Sequence, residues 1–179
     1  MLRSRLNGGN PRTALLSNPQ ESFQKCIHAK KLMVTMEIKL STSEIQEKRQ
    51  LLQNYEPAQK ALAMLEQNQG KIAASFDALW EEKFGIPTYE KGKKSVWKVF
   101  LEQLRKELCG DDGFRNKVKD YTNNPGSAPL LTGLIVSLVG IAGAHGLPLD
   151  PAIATIVVLY IVKIGLNTYC EYTEPTSEG

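Results

Sequence analysis

The sequence predicts an all-α protein, in which a small cytoplasmic helical bundle is followed by a two-helix transmembrane hairpin. One observation is the absence of any charged residue between Asp120 and Asp150, although 23% of the chain is charged. Another is the pair of apolar segments on either side of a short turn at residues 145–150. The third is the recurrence of apolar side chains every three or four residues between 41 and 122, as on one face of a helix.

The expected organisation follows these shifts in composition. It has five segments: a flexible N-terminal arm (1–40), a soluble α-helical domain (41–122), a linker (123–128), a membrane helical hairpin (129–169) and a polar C-terminal tail (170–179). The net charge also differs between the two parts of the chain. Residues 1–126 carry a net +6, and residues 127–179 carry a net −3.

The first 40 residues are predicted to be a flexible arm. Asn7 to Pro11 and Ser17 to Pro19 are rich in turn-forming residues, and no apolar period persists between them. Near the end of the arm, apolar and polar residues alternate from Met36 to Leu40, as in a β-strand, but no partner strand is evident.

Residues 41–122 are expected to hold four or five helices of about 10–15 residues each. Ser41 offers a cap for the first helix, and Glu44 adds an acid to its first turn, where the helix dipole favours negative charge. The breaks between successive helices are marked by Pro57, Gly70, Gly85 and Gly110. The pattern therefore predicts a compact bundle that folds on its own.

Two segments of 19 residues, Pro129–Leu147 and Pro151–Tyr169, are expected to span the membrane. A spanning helix needs roughly 20 apolar residues, so both segments are at the short end. Lys163 in the second segment would cost about 2.5–3.5 kcal/mol at the bilayer midplane. Because this lysine is near the end of the segment, its stem can reach the surface. Lys163 and Tyr169 are therefore predicted to anchor the segment at the membrane interface.

A face of small residues on the first apolar segment is predicted to pack membrane helices together. It consists of Gly133, Ser137, Gly140 and Ala144, which recur at three- and four-residue steps. In lipid such a face allows close contact between helices, so it favours a homo-oligomer as well as the hairpin. The alternative is that the glycines merely fill a mobile apolar segment.

The basic residues predict the orientation of the hairpin. Arg115, Lys117 and Lys119 precede the first apolar segment, whereas the turn contains neither lysine nor arginine. The positive-inside rule then places both termini in the cytoplasm and makes the chain a two-pass membrane protein. One competing interpretation is a very apolar hairpin buried inside a soluble protein. Another is a hairpin that inserts into the membrane only when triggered.

A basic amphipathic helix is expected to contact anionic headgroups. Lys93, Lys94 and Lys98 surround Trp97 in this helix, and each basic residue near a charged membrane surface contributes about 1 kcal/mol. The phosphates of nucleic acid attract the same charges, but nucleic acid is the less expected partner. The alternative is a core helix with a solvated basic face.

No motif in the sequence names a reaction, so the chain is expected to be no enzyme and to need no cofactor or metal ion. The two histidines, His28 and His145, are far apart, and no local cluster of ligands accompanies either. The three cysteines, Cys26, Cys109 and Cys170, are odd in number and distant in sequence. This argues against a disulfide scaffold and predicts inert thiols in a reducing compartment.

These features favour a non-enzymatic, membrane-anchored helical interaction or adaptor protein that self-associates. Its expected partners are the lipid bilayer, a second copy of the chain and a protein that binds the helical domain. One alternative is a pore-forming or membrane-disrupting effector with a helical sensor domain. Another is a soluble oligomeric binding protein with a buried apolar hairpin.

Overall fold

Helices account for most of the chain in the computed structural model, which describes residues 37–85, 95–147 and 149–173. They are α1 (Thr42–Leu51), α2 (Glu56–Gln67), α3 (Ile72–Phe84), α4 (Val96–Leu108), α5 (Asp112–Asn123), α6 (Ala128–Ala144), α7 (Pro151–Ile164) and α8 (Leu166–Tyr172). The described residues contain no strand longer than a single bridge. The all-α class predicted from the sequence is confirmed for this part of the chain.

Polar side chains begin several of these helices, and Ser41 is the cap that the sequence predicted. Ser41 and Glu44 form a capping box at α1, in which the Ser41 hydroxyl accepts from the Glu44 N–H and the Glu44 carboxylate accepts from the Ser41 N–H. At α7, Asp150 accepts from the N–H groups of Ala152 and Ile153 at 2.8 and 3.4 Å. Each cap satisfies backbone donors that the helix itself leaves unpaired.

The short extended segment before α1 has a partner that the sequence did not reveal. Lys39 forms an antiparallel bridge with Lys71, and the Leu40 N–H donates to the Gly70 carbonyl at 2.9 Å. Gly70 has φ +77°, and a Cβ atom there would lie 1.9 Å from the Leu40 oxygen. Gly70 therefore permits both the left-handed turn and the close approach of the two segments.

The centre of the fold is α7. Ten consecutive residues of this helix, from Ala152 to Ile161, are buried. Its main packing partners are α2, α3 and α6, and α8 folds back against it. A helix that is apolar on every side is stable in water only when it is enclosed, and the helices packed around α7 provide that enclosure.

The predicted helical domain and the predicted hairpin share one hydrophobic core. Buried residues of α1–α5 and of α6–α8 belong to the same cluster. Of the residues expected to form a linker, 123–128, the first ends α5 and the last begins α6. Between them is a tight turn in which the Ser127 N–H donates to the Asn124 carbonyl at 3.0 Å. The predicted domain boundary coincides with this turn. The turn joins α5 and α6, which pack on each other.

The apolar helices differ from the predicted pair of 19-residue spans. α6 has 17 residues, and α7 ends after 14 because Gly165 adopts φ +85°. The chain turns through 98° before α8 continues for seven residues. Within the described residues, no single helix combines the length and hydropathy needed to cross a bilayer, and only the bent pair α7–α8 meets both criteria jointly. The second apolar segment is therefore two helices rather than one continuous helix, and a transmembrane hairpin is not confirmed.

The two ends of the predicted organisation lie largely outside the described residues. Of the expected N-terminal arm, only residues 37–40 are described, and of the polar tail only residues 170–173. Residues 170–172, at the start of the predicted polar tail, belong to α8.

Candidate functional site: the segment from α6 to α8

The outer side of α6 carries the small residues predicted to pack helices together. Gly140 and Ala144 are exposed, and Gly133 is partly exposed. A Cβ atom built at Gly133 or Gly140 would meet no other atom within 4 Å. Beside them Val136 keeps 56% of its surface accessible, the larger of two exposed large hydrophobic side chains among the described residues.

The opposite side of α6 makes the contacts inside the fold. It buries five apolar side chains: Leu131, Leu134, Ile135, Leu138 and Ala142. Of the small-residue face, only Ser137 has a polar contact, since its hydroxyl lies 2.5 Å from the Lys117 ammonium on α5. The small residues therefore do not join α6 to α7, because the larger side chains occupy that interface. Packing between copies through this face stays a prediction.

An ion pair ties the end of α7 to the start of α1. The Lys163 ammonium lies 2.5 Å from the Glu44 carboxylate, and about a third of each side chain is exposed. The hydrogen bond from Lys163 and the backbone N–H of Ser41 lower the pKa of Glu44 to about 2. The predicted anchor Lys163 thus has a protein partner in this fold, at a distance of 119 residues in sequence.

The other predicted interface anchor, Tyr169, is a core residue. Its side chain is completely buried, and its hydroxyl donates to the Leu101 carbonyl of α4 at 2.9 Å. Burial raises the pKa of this phenol well above its usual value, so it remains a neutral donor. The bend at Gly165 turns α8 back onto the bundle. That Tyr169 anchors the chain at a membrane surface stays a prediction.

An aromatic cluster occupies the junction of α3, α4 and α7. The Trp97 ring lies 4.9 Å from that of Phe76 and 5.0 Å from that of Tyr160, and Trp80 and Phe100 extend the cluster. Trp97 thus packs with the core, as the alternative interpretation of a core helix with a basic face predicted. Lys98 is exposed, whereas Lys93 and Lys94 lie outside the described residues. Headgroup contact by these lysines stays a prediction.

The cysteines correct the sequence-based expectation. Cys109, at the end of α4, and Cys170, in α8, form a disulfide across 61 residues of sequence. Both are partly exposed. The prediction of inert free thiols was wrong for this pair, because folding brings two distant helix ends together in a way that spacing in sequence does not reveal. Cys26 lies outside the described residues.

Two further pairs tie the α6–α7 turn to its surroundings. His145 lies 3.0 Å from the Glu107 carboxylate of α4, and Asp150 lies 3.5 Å from the Lys83 ammonium of α3. In each pair the basic side chain is about half exposed and the carboxylate about a quarter exposed, so screening by solvent keeps the contribution to stability small. The two pairs show that α4 and α3 face the turn between α6 and α7.

A single carboxylate in the described region has its pKa raised. Asp77 on α3 is half-buried, and desolvation raises its pKa, although the backbone N–H of Trp97 donates to it and partly opposes this effect. Among the described residues, no three or more His, Cys, Asp or Glu side chains come close enough to hold a metal ion. Asp77 contacts the first turn of α4, whose own cap is Ser95.

The geometry defines a class of protein: an all-helical bundle built around one enclosed apolar helix, with a small-residue face outside and a disulfide across two helix ends. Comparison of the chain with protein-family models, with curated proteins and with solved structures gave no match. The function is therefore inferred from geometry alone.

Proposed function

We propose that this chain is a non-enzymatic helical interaction protein that self-associates through the outer side of α6. The observation that carries the proposal is that this side has four small residues and an exposed valine. Val136, Gly140 and Ala144 are exposed, Gly133 is partly exposed, and Ser137 contacts Lys117 of α5. We refer to Gly133, Val136, Ser137, Gly140 and Ala144 as the α6 outer face.

The α6 outer face suits another helix better than a flat protein surface. Glycines at three- and four-residue steps allow two helix axes to approach closely, so backbone and Cα atoms make the contact. Val136 supplies an exposed apolar side chain beside the small residues of this face. A second copy offers a surface of the same shape, and a two-fold axis would bury both faces at once.

A bulky side chain in the α6 outer face tests the proposal. Gly140→Leu is expected to leave the monomer folded, since a Cβ atom there meets nothing within 4 Å. The same leucine would hold two α6 helices apart and weaken the dimer by about 10-fold or more. Sedimentation equilibrium over a range of protein concentrations measures the change.

The matched control places a leucine on another exposed helix position. Gln67→Leu on α2 adds the same side chain far from α6 in sequence, and the dimer should keep the wild-type affinity. A wild-type chain that stays monomeric at high concentration would contradict the proposal. So would a Gly140→Leu variant that dimerises as well as wild type.

A membrane-anchored adaptor is the second candidate, and the hydropathy of α6 with the bent pair α7–α8 supports it. In this candidate the hairpin inserts with both termini in the cytoplasm, and the helices α1–α5 bind a protein partner. Insertion requires α7 to leave its packing partners, with lipid chains replacing the apolar contacts it gives up. The ion pair between Lys163 and Glu44 must break in the same step.

Liposomes separate this candidate from the first. A membrane adaptor would float with vesicles and resist extraction by alkaline carbonate, and a pore-forming effector would in addition release an entrapped dye. Vesicles of neutral lipid and vesicles with anionic lipid are compared, because basic residues on the bundle favour the anionic ones. Protein that remains at the bottom of the gradient with both vesicles contradicts the membrane candidate and leaves self-association to be tested alone.

A further inference from the structure

We propose that α8 is a latch on the bundle, locked by the Cys109–Cys170 disulfide and opened by a dithiol reductant. Apart from the backbone at Gly165, the disulfide is the one covalent link among the described residues between α8 and the rest of the bundle. The latch is independent of the α6 outer face, so it extends beyond the proposed self-association.

The non-covalent contacts of α8 are few and concentrated. Leu166 and Tyr169 are the buried residues of this seven-residue helix. The Arg105 side chain donates to the Cys170 carbonyl at 2.9 Å, and Arg115 donates to the Asn167 side chain at 2.8 Å. A helix of seven residues has little stability of its own, so these contacts and the disulfide hold it in place.

The backbone bends sharply at Gly165, between α7 and α8. Gly165 ends α7 at φ +85°, a conformation that other residues rarely adopt, and α8 leaves at 98° to α7. A Cβ atom at Gly165 would meet only the Thr168 hydroxyl, at 3.9 Å. A change of backbone angles at this one glycine can therefore swing α8 away while α7 remains inside the bundle.

Opening of the latch would uncover an aromatic surface. The Tyr160 ring of α7 lies edge-on to the Tyr169 ring of α8 at 6.3 Å and edge-on to Trp97 at 5.0 Å. Tyr160 is 3% exposed with α8 in place. Removal of α8 would expose the Tyr160 ring and the Leu101 carbonyl to solvent. An aromatic ring beside a free hydrogen-bond acceptor is suited to contact with another protein.

Thiol–disulfide exchange supplies the switch. A thiolate of the reductant attacks one sulfur of the pair, forms a mixed disulfide with it and displaces the other cysteine as a thiolate, which takes up a proton. The second thiol of the reductant then attacks the mixed disulfide and releases the remaining cysteine. Cys109 and Cys170 end as two thiols, and the reductant ends as a disulfide. Partial exposure of both residues permits the attack.

Amide hydrogen exchange of the full chain tests the latch. The background variant Cys26→Ser leaves Cys109 and Cys170 as the remaining cysteines of the chain. It is compared in the oxidised form and after treatment with dithiothreitol, with thiols counted by mass after alkylation. Reduction is expected to raise exchange in residues 166–172 by about 10-fold or more at short labelling times. Peptides from α2 and α7 should stay protected at those times.

A serine pair provides the matched control. In Cys26→Ser/Cys109→Ser/Cys170→Ser, residues 166–172 should exchange at the reduced level with or without dithiothreitol. If this variant fails to fold, reduction of the background variant still decides the matter. The proposal is overturned by two alkylated thiols in the air-oxidised protein or by unchanged exchange in 166–172. It is equally overturned by an equal rise in α2 and α7, which would make the disulfide a brace of the whole fold.

Discussion

Gly70 shows how one residue can decide a local structure. The Leu40 carbonyl lies so close that any side chain at this position would overlap it, and the backbone angle is itself unfavourable for other residues. We expect Gly70→Ala to lower the free energy of unfolding by at least about 2 kcal/mol, as measured by urea denaturation.

Gly110 is the matched control for this substitution. It follows α4 without a positive φ angle, and a Cβ atom there would meet nothing within 4 Å. Gly110→Ala should change the stability by less than about 0.5 kcal/mol. An equal effect of both substitutions would show that contact with Leu40 is not what requires glycine at position 70.

Glu44 carries the clearest pH dependence at the scale of single residues. Its pKa is about 2 in the folded protein and 4.5 in a model peptide, so its ionisation stabilises the fold above pH 4.5. That stabilisation is lost progressively as the pH falls from 4.5 to about 2. After allowance for partial exposure of the ion pair, we expect Glu44→Gln to cost about 1 kcal/mol at pH 7.

The glutamine variant isolates the charge from the capping box, because its amide oxygen can still accept from the Ser41 N–H. Urea denaturation at pH 7, 4 and 3 should show the wild type approaching Glu44→Gln as the pH falls. Glu82→Gln, at an exposed ion pair with Lys60, serves as the control and should change nothing measurable. A constant difference between wild type and Glu44→Gln across this range would contradict the assignment.

At the scale of elements, α7 and α6 differ in how much of their apolar surface the fold uses. Ile156 on α7 is completely buried, whereas Val136 on α6 is mostly exposed. We expect Ile156→Ala to lower the unfolding free energy by about 3–4 kcal/mol, since it removes buried methylene groups and leaves a cavity. Val136→Ala should cost less than about 0.5 kcal/mol.

Chemical denaturation of these two variants measures the contrast at matched conditions. Both substitutions shorten a branched aliphatic side chain within a helix, so differences in helix propensity are small beside the effect of burial. Similar losses from the two variants would contradict the central position of α7.

The helices themselves could be predicted from the sequence, because their signals are local. Pro57, Gly70 and Gly85 separate the helices as expected, and the apolar stripe of α4, with Leu101 and Leu104, is buried. The surroundings of α7 could not be predicted in this way. A continuous apolar run has the same appearance whether lipid chains or neighbouring helices enclose it, and only tertiary packing distinguishes the two.

The elements of the candidate site were predicted unevenly for the same reason. The small-residue set on α6 was evident from its spacing, but the side to which it points depends on where the larger residues of α6 pack. The disulfide between Cys109 and Cys170 depends on the bend at Gly165, which brings α8 back to the end of α4. Contacts across 61 residues leave no trace in a single sequence.

At the scale of the molecule, α1–α5 depend on α7 to complete their core. α2 and α3 make their most extensive contacts with α7. A chain that ends at Gly126 would therefore leave the apolar faces of these helices uncovered. We expect this fragment to lose the cooperative thermal transition seen for the full chain, as measured by circular dichroism at 222 nm.

The full chain under the same conditions is the control, and it should unfold in one transition. A fragment that ends at Gly126 and melts sharply, with helical signal in proportion to its length, would contradict this expectation. It would instead support the independent helical domain that the sequence pattern favours.

The enclosure of α7 by helices that precede it has a consequence for synthesis. On the ribosome, α1–α5 emerge before the segment that fills the space between them has been made. During that interval the nascent chain presents leucine and phenylalanine side chains with nothing to cover them, which is the condition that chaperones recognise. Native structure can thus arise only once α7 has left the exit tunnel, so the timing of folding is set by translation of one late helix.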